Sequence, residues 1–128
     1  MKNNAHIPHA GLKYHKALTY NHTLSLLAKA NKSLFTDKIQ LFNSSRQVAK
    51  KAILMLYLSI HPVKNDVEII ECNYSYDLHI YPNGIIQINF ENLELQPNER
   101  IKFVLRIKTG DSVSKEHIIK NNYLFFCL

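Results

Sequence analysis

The side chains best equipped for chemistry in this sequence are cations set close together. Ser44, Ser45, Arg46, Lys50 and Lys51 lie in one short stretch. Ser44 with Gln47 three residues on has the spacing of a capping box, which predicts the start of a helix. The free amides of a first helical turn, two hydroxyls and three cations would cradle a phosphate. The competing reading is that the long basic side chains only solvate the open end of a buried helix. Lys29 and Lys32, close to the end of a preceding helical pattern, extend the same basic surface. The expected anion- or nucleic-acid-binding set is therefore Lys29, Lys32, Ser44, Ser45, Arg46, Lys50 and Lys51.

A secondary basic strand follows from Arg100, Lys102, Arg106 and Lys108, which alternate with Ile101, Phe103, Leu105 and Ile107. Such a row suits a phosphate backbone while nearby tyrosines stack bases. It equally suits the protection of an edge strand against pairing with another chain, and Glu91, Glu94 and Glu99 lie near enough in sequence to neutralise it.

Other constellations are weaker. His6-x-x-His9 with His15 has roughly the spacing of a transition-metal site but has no Cys or carboxylate beside it, so no metal site is expected. Asp77 and His79 fall on one face of a strand and could form an acid–base pair. Gly11, Gly84 and Gly110 are the only glycines, and neither a dinucleotide fingerprint nor a P-loop can be written from them. With no recognisable nucleophile, metal or cofactor loop, no catalytic residue and no cofactor is expected.

These residues must be positioned by something. The chain has 128 residues, 46% of them hydrophobic, enough for one domain with a real core. Residues 1–11 read as a tail and 12–128 as a single α+β domain, basic and mainly helical over 12–61 and mainly β over 62–128. In the first helix, Ala17, Tyr20, Leu24, Leu27 and Ala28 form the stripe. A short strand is expected over Lys38–Phe42. In the second helix, Val48, Ala49, Ala52, Ile53, Leu56 and Ile60 form the face and His61-Pro62 the stop. Thereafter the period is two: Val67–Cys72, a hairpin closed by Pro82-Asn83-Gly84, a short Leu93–Leu95, Arg100–Lys108 and Tyr123–Leu128, with a helix or loop over 112–120. The fold class expected is two N-terminal helices packed on a mainly antiparallel sheet.

Charge divides along the same line. Residues 1–64 hold nine Lys and one Arg against Asp37, whereas residues 65–128 hold six cations against nine acids, so a net +6 conceals +9 and −3. Asn, Lys and Ile together supply 40 residues, the usage of an AT-rich genome such as that of a low-GC bacterium or its phages. No signal peptide or membrane span is visible, and two cysteines without C-x-x-C spacing fit a reducing cytoplasm. The first helix is basic and amphipathic, but its Ala/Tyr stripe suits packing on a sheet better than a membrane surface.

Residues 26–72, notably Ala49-Lys50-Lys51 and the run to Asp66-Val67-Glu68-Ile69, resemble the middle of the HPr phosphocarrier family. Thr19 stands where that family's phosphorylatable histidine would be and Lys51 where its regulatory serine would be. The strands beyond residue 73 replace its final helix, so no phosphotransfer is carried over. The expectation is a cytoplasmic, non-enzymatic protein that contacts nucleic acid or another polyanion through its basic half. The alternative is an adaptor or inhibitor that meets an acidic protein partner, and joining of basic to acidic halves would make a homodimer.

Overall fold

The computed structural model describes residues 18–29, 32–109 and 118–128. Strands β1 (Leu18–Lys29) and β2 (Lys32–Asn43) come first, then β3 (Lys51–Leu58), a 3-10 turn at Lys64–Asp66, β4 (Val67–Ile70), β5 (Asp77–Tyr81), β6 (Ile85–Phe90), β7 (Arg100–Lys108) and β8 (Ile119–Cys127). They form two four-stranded antiparallel sheets: sheet I in the order β1-β2-β7-β4, and sheet II in the order β5-β6-β3-β8. The fold is a β-sandwich, which corrects the α+β expectation. Among the described residues there is no α-helix, and none long and apolar enough to cross a membrane.

Both expected helices are strands. Residues 18–29, read as helix from Tyr20, Leu24 and Leu27, pair residue for residue with β2 from Leu18↔Asn43 to Lys29↔Lys32. The expected short strand over Lys38–Phe42 is the second half of β2. Residues 44–50 are irregular, and the expected second helix is replaced by β3 at the centre of sheet II. The physical reason lies in where β3 sits. Lys51–Leu58 is apolar at nearly every position because the strand is buried on both faces, and a continuous apolar run has the same pattern as a buried helix. The part of the HPr resemblance that required a helix there fails with it.

The readings with a clean period of two match the structure. β7 buries Ile101, Phe103, Leu105 and Ile107 and turns Arg100, Lys102 and Lys108 to solvent. The β5–β6 hairpin closes at Pro82-Asn83-Gly84, where Gly84 takes φ +83°. A Cβ there would stand 2.8 Å from the Ile60 carbonyl oxygen, so only glycine fits. Leu93–Leu95 is not a strand. Ala49 and Leu95 instead exchange backbone bonds of 2.9 and 3.0 Å, tying together two of the connections that cross between the sheets.

The core lies between the sheets. Phe35, Ile39 and Leu41 of β2 and the buried row of β7 face Leu54, Leu56, Ile86, Ile88 and Phe126 of sheet II, and the Phe90 and Phe103 rings meet across the interface at 6.0 Å. Asp37 is fully buried in this core, and its Oδ2 accepts from the Tyr20 hydroxyl at 3.4 Å. Asn43 closes the corner where the chain leaves sheet I. Its amide donates to the carbonyls of Gln47 and Leu95, both at 2.9 Å, and its Oδ1 accepts from the Ser45 amide at 3.0 Å. This Asx turn, not a helix cap, is the local structure of Asn43-Ser44-Ser45.

Candidate functional site

The basic residues named from the N-terminal half do not converge. With no helix at Ser44, there are no free amides of a first turn to hold a phosphate. Ser45 serves the turn, its Oγ accepting from the Gln47 amide at 3.1 Å, while Ser44 and Arg46 lie exposed on the loop. Lys50 and Lys51 line a shallow depression with Glu91 and Glu94, and Lys51 pairs with Glu91 at 3.7 Å. Lys29 ends β1 and Lys32 begins β2, at the far end of the long hairpin from that depression. The N-terminal histidines lie outside the described residues. Asp77 and His79 do share a strand face, exposed, with no hydrogen bond joining them among the described residues.

Two other surfaces are assembled by register, one on the outer face of each sheet. Sheet I presents a basic one. Across β2 and β7 the outward rungs are Phe42↔Arg100, Gln40↔Lys102, Lys38↔Val104, Thr36↔Arg106 and Leu34↔Lys108. Lys38 therefore fills the single gap left by Val104, and each rung carries one cation. Arg100 lies over the Phe42 ring at 4.9 Å and donates to Gln40 Oε1 at 2.7 Å, so its guanidinium is held at two points. Asn73 brackets the start of β7, donating to the Arg100 carbonyl at 3.0 Å and accepting from the Lys102 amide at 2.7 Å. Arg106 meets Glu68 of β4 at 3.7 Å. Lys38, Lys102 and Lys108 are exposed and make no ion pair among the described residues. Since β7 is an interior strand, edge protection does not explain its cations.

Sheet II presents an aromatic and amide-bearing one. Its outward rungs are Asp77–Asn89–Ile53–Phe125, His79–Gln87–Met55–Tyr123 and Tyr81–Ile85–Tyr57–Asn121. Ile53, Met55 and Ile85 form a second apolar cluster, separate from the core, with Tyr57, Tyr81 and Phe125 packed against it. Met55 is wholly buried on this outer face, whereas Tyr123 beside it is 40% exposed. Tyr57 and Tyr123 meet edge to face with centroids 5.4 Å apart, one rigid aromatic corner rather than two separate rings. Burial, then the neighbouring Tyr123 phenol, pushes the Tyr57 phenol up from its ordinary value, so it remains a hydroxyl at neutral pH. Polar groups interleave: Gln87 Nε2 donates to Asn89 Oδ1 at 2.9 Å, and Asn121 Nδ2 donates to the Tyr123 hydroxyl at 3.1 Å.

Sequence reading named the cations of β7 but missed Lys38 and the whole tyrosine face. Tyr57 stands out in an otherwise aliphatic run, and Tyr81 and Tyr123 occupy strand positions opposite in parity to the buried ones. Those were the available signals. What joins them is register across three strand pairings, which no single segment contains.

No family model matches the chain, and no curated protein matches it. Among solved structures, a GH20 exo-β-N-acetylglucosaminidase from Vibrio harveyi, in complex with N-acetylglucosamine, is similar at TM-score 0.58 and 13% identity, over 85% of this chain and 16% of the enzyme. A carbohydrate-binding module, CBM3b, from the cellulosomal cellobiohydrolase 9A of Clostridium thermocellum aligns at TM-score 0.44 and 12% identity, over 83% of this chain and 91% of the module. The first likeness is one of fold, a sandwich that makes up a small part of a larger enzyme.

Proposed function

We propose that this chain is a non-catalytic binding module that holds a neutral glycan against the outer face of sheet II. One observation carries the reading: a solvent-facing sheet surface built from tyrosines, a phenylalanine and side-chain amides over a buried apolar floor. The outer face of a sandwich sheet is ordinarily polar, since water solvates it. Here Ile53, Met55 and Ile85 are buried beneath rings whose outer surface remains partly open. A pyranose has that mixed character itself, apolar C–H faces rimmed by hydroxyls. Ring faces accept the first, and the amides of Asn89 and Asn121 with the tyrosine hydroxyls meet the second.

Charge supports a neutral ligand. Asp77 and His79 are the only ionisable groups on the three outward rungs apart from the tyrosines. The V. harveyi enzyme that shares the fold was solved with N-acetylglucosamine, so β-linked N-acetylglucosamine polymers are the first probe. The full chain is expected to be retained on an insoluble polymer of that sugar and to give a saturable isotherm with its soluble oligomers. Tyr57→Ala and Tyr123→Ala should each weaken binding at least tenfold, with little dependence on salt. Absence of retention on any β-linked neutral polysaccharide, together with a flat calorimetric trace, would overturn the proposal.

A further inference from the structure

The opposite face of the sandwich carries the row of cations set by the β2–β7 register. The geometry points to the outer face of sheet I as a binding surface for single-stranded nucleic acid, its phosphates following β7 and its bases turned toward β2 and β1. Strand residues two apart are separated by roughly 6.8 Å, so Arg100, Lys102, Lys38, Arg106 and Lys108 set one positive charge at each such step. A single strand drawn toward full extension places its phosphates at a comparable repeat. Rigid strands also keep the cations in line, whereas lysines on a loop would scatter.

The two sides of the row differ, and that difference selects the polymer. Toward β4 stand Ile70 and Glu68, whose carboxylate already pairs with Arg106, and Lys64 lies beside Arg106 and Lys108 at that end of the row. Toward β1 stand Phe42 beside Thr19 and Gln40 beside Asn21. The Arg100 guanidinium over Phe42 provides a flat cationic plate on which a base can stack, and exposed Thr19 and Asn21 supply hydrogen bonds for base edges. A sulfated polysaccharide would use the cations but not this strip. A duplex would present its phosphates on a curved surface that a nearly linear row touches only in part. Capture is therefore by charge with counterion release, and placement by the strip beside it.

Fluorescence anisotropy of the full chain with a labelled oligothymidylate tests this, beside a duplex and a sulfated polysaccharide of matched length. With four to five cations engaged, the log–log salt slope should be about −3. Between 50 and 200 mM salt the affinity should then fall about 60-fold. The triple variant Lys38→Gln/Lys102→Gln/Lys108→Gln changes only exposed side chains. It should flatten the slope by about 2 while leaving retention on neutral glycan intact. Phe42→Ala should weaken the single strand and leave the sulfated polysaccharide unchanged, and Lys50→Gln/Lys51→Gln should leave both unchanged. Failure to bind oligothymidylate at low salt overturns the assignment. So does equal binding of all three polymers that ignores Phe42, or loss of binding in the Lys50/Lys51 variant but not in the triple one.

Discussion

Sheet II turns Tyr57, Tyr123 and Phe125 outward from strands whose neighbouring outward residues, Ile53 and Met55, are themselves buried, at 2% and 0% exposure. Sheet I turns Lys38, Lys102 and Lys108 outward, and there burial is confined to the inward residues of β2 and β7. Both faces sit on the same core and both belong to antiparallel sheets, so neither topology nor burial depth explains the difference. It lies in which residues occupy the alternate positions. In sheet I those positions are left to solvent and charge, whereas in sheet II they build a thin second apolar layer. Large rings pack over that layer, and Tyr123 beside it stays 40% exposed.

This contrast should first appear in stability. Met55→Ala on the outer face of sheet II removes a wholly buried side chain and should cost about 2–5 kcal/mol. Val104→Ala, at the equivalent outward place in sheet I, is half-buried and should cost about 1 kcal/mol. Denaturant unfolding of the two variants measures the gap. Equal costs would mean that the sheet II outer layer is not packed as described.

The second contrast is one of ligand. Tyr123→Ala should lower glycan retention at least tenfold and leave oligonucleotide affinity within twofold, while Lys102→Gln/Lys108→Gln does the reverse. Parallel titrations with both ligands read this, and a variant that impaired both would merge the two faces into one site.

The third is a pH effect that separates a core tyrosine from those of the outer face. Burial, with the Asp37 carboxylate beside it, holds the Tyr20 phenol far above its ordinary value of 10.0. Below pH 10 the phenol is neutral whether folded or unfolded and contributes no pH dependence. Above it the unfolded chain ionises first, so unfolding releases a proton and stability falls as pH rises, by about 1.4 kcal/mol per unit. Unfolding followed from pH 10 to 11, where the unfolded phenol passes from half to mostly ionised, should show stability falling by about 1 kcal/mol through Tyr20. Tyr20→Phe should lose that share of the fall while the smaller one from Tyr57 stays.

The smallest effect expected concerns Glu68, the acid beside Arg106 on the basic face. The Arg106–Glu68 pair is exposed and worth under about 1 kcal/mol. Glu68→Gln should therefore leave the melting temperature nearly unchanged while raising oligonucleotide affinity about two- to threefold through the freed Arg106. A drop in affinity would show that Glu68 positions Arg106 instead of competing for it.

Legibility in the sequence followed solvent. β7, β5 and the Gly84 turn were readable because each strand has one wet side, so polarity alternates, and β6 because Gln87 and Asn89 keep the alternation although the strand is almost wholly buried. β3 was not, since dry surroundings on both sides erase the alternation and leave Ala52, Leu54, Met55 and Leu56, residues that favour helices when nothing else decides. β1 carries an alternation of Leu18, Tyr20, Leu24 and Leu26 against Thr19, Asn21, Thr23 and Ser25, which the helical stripe through Tyr20, Leu24 and Leu27 masks. The site fared likewise. The cations of β7 are visible in one segment, but Lys38 joins them only through the β2–β7 register, and the tyrosine face needs three strand pairings. Asp77 and His79 were noticed as a pair, and they stand on edge strand β5, across the face from Tyr123 and Phe125 on β8.

The side-chain hydrogen bonds of Asn43 also determine how the molecule ages. An asparagine followed by serine is prone to lose its amide, because the next backbone nitrogen can attack the side-chain carbon. Here the Asn43 side chain is held by its donors to Gln47 and Leu95 and by the Ser45 amide on its oxygen, so it cannot turn freely toward that attack. Were the conversion to occur, an oxygen would replace the nitrogen that donates to both carbonyls, and three acceptors would face one another inside a buried corner. The folded corner thus guards the bond whose loss would open it, and the chemical lifetime of the chain is tied to how rarely that corner unfolds.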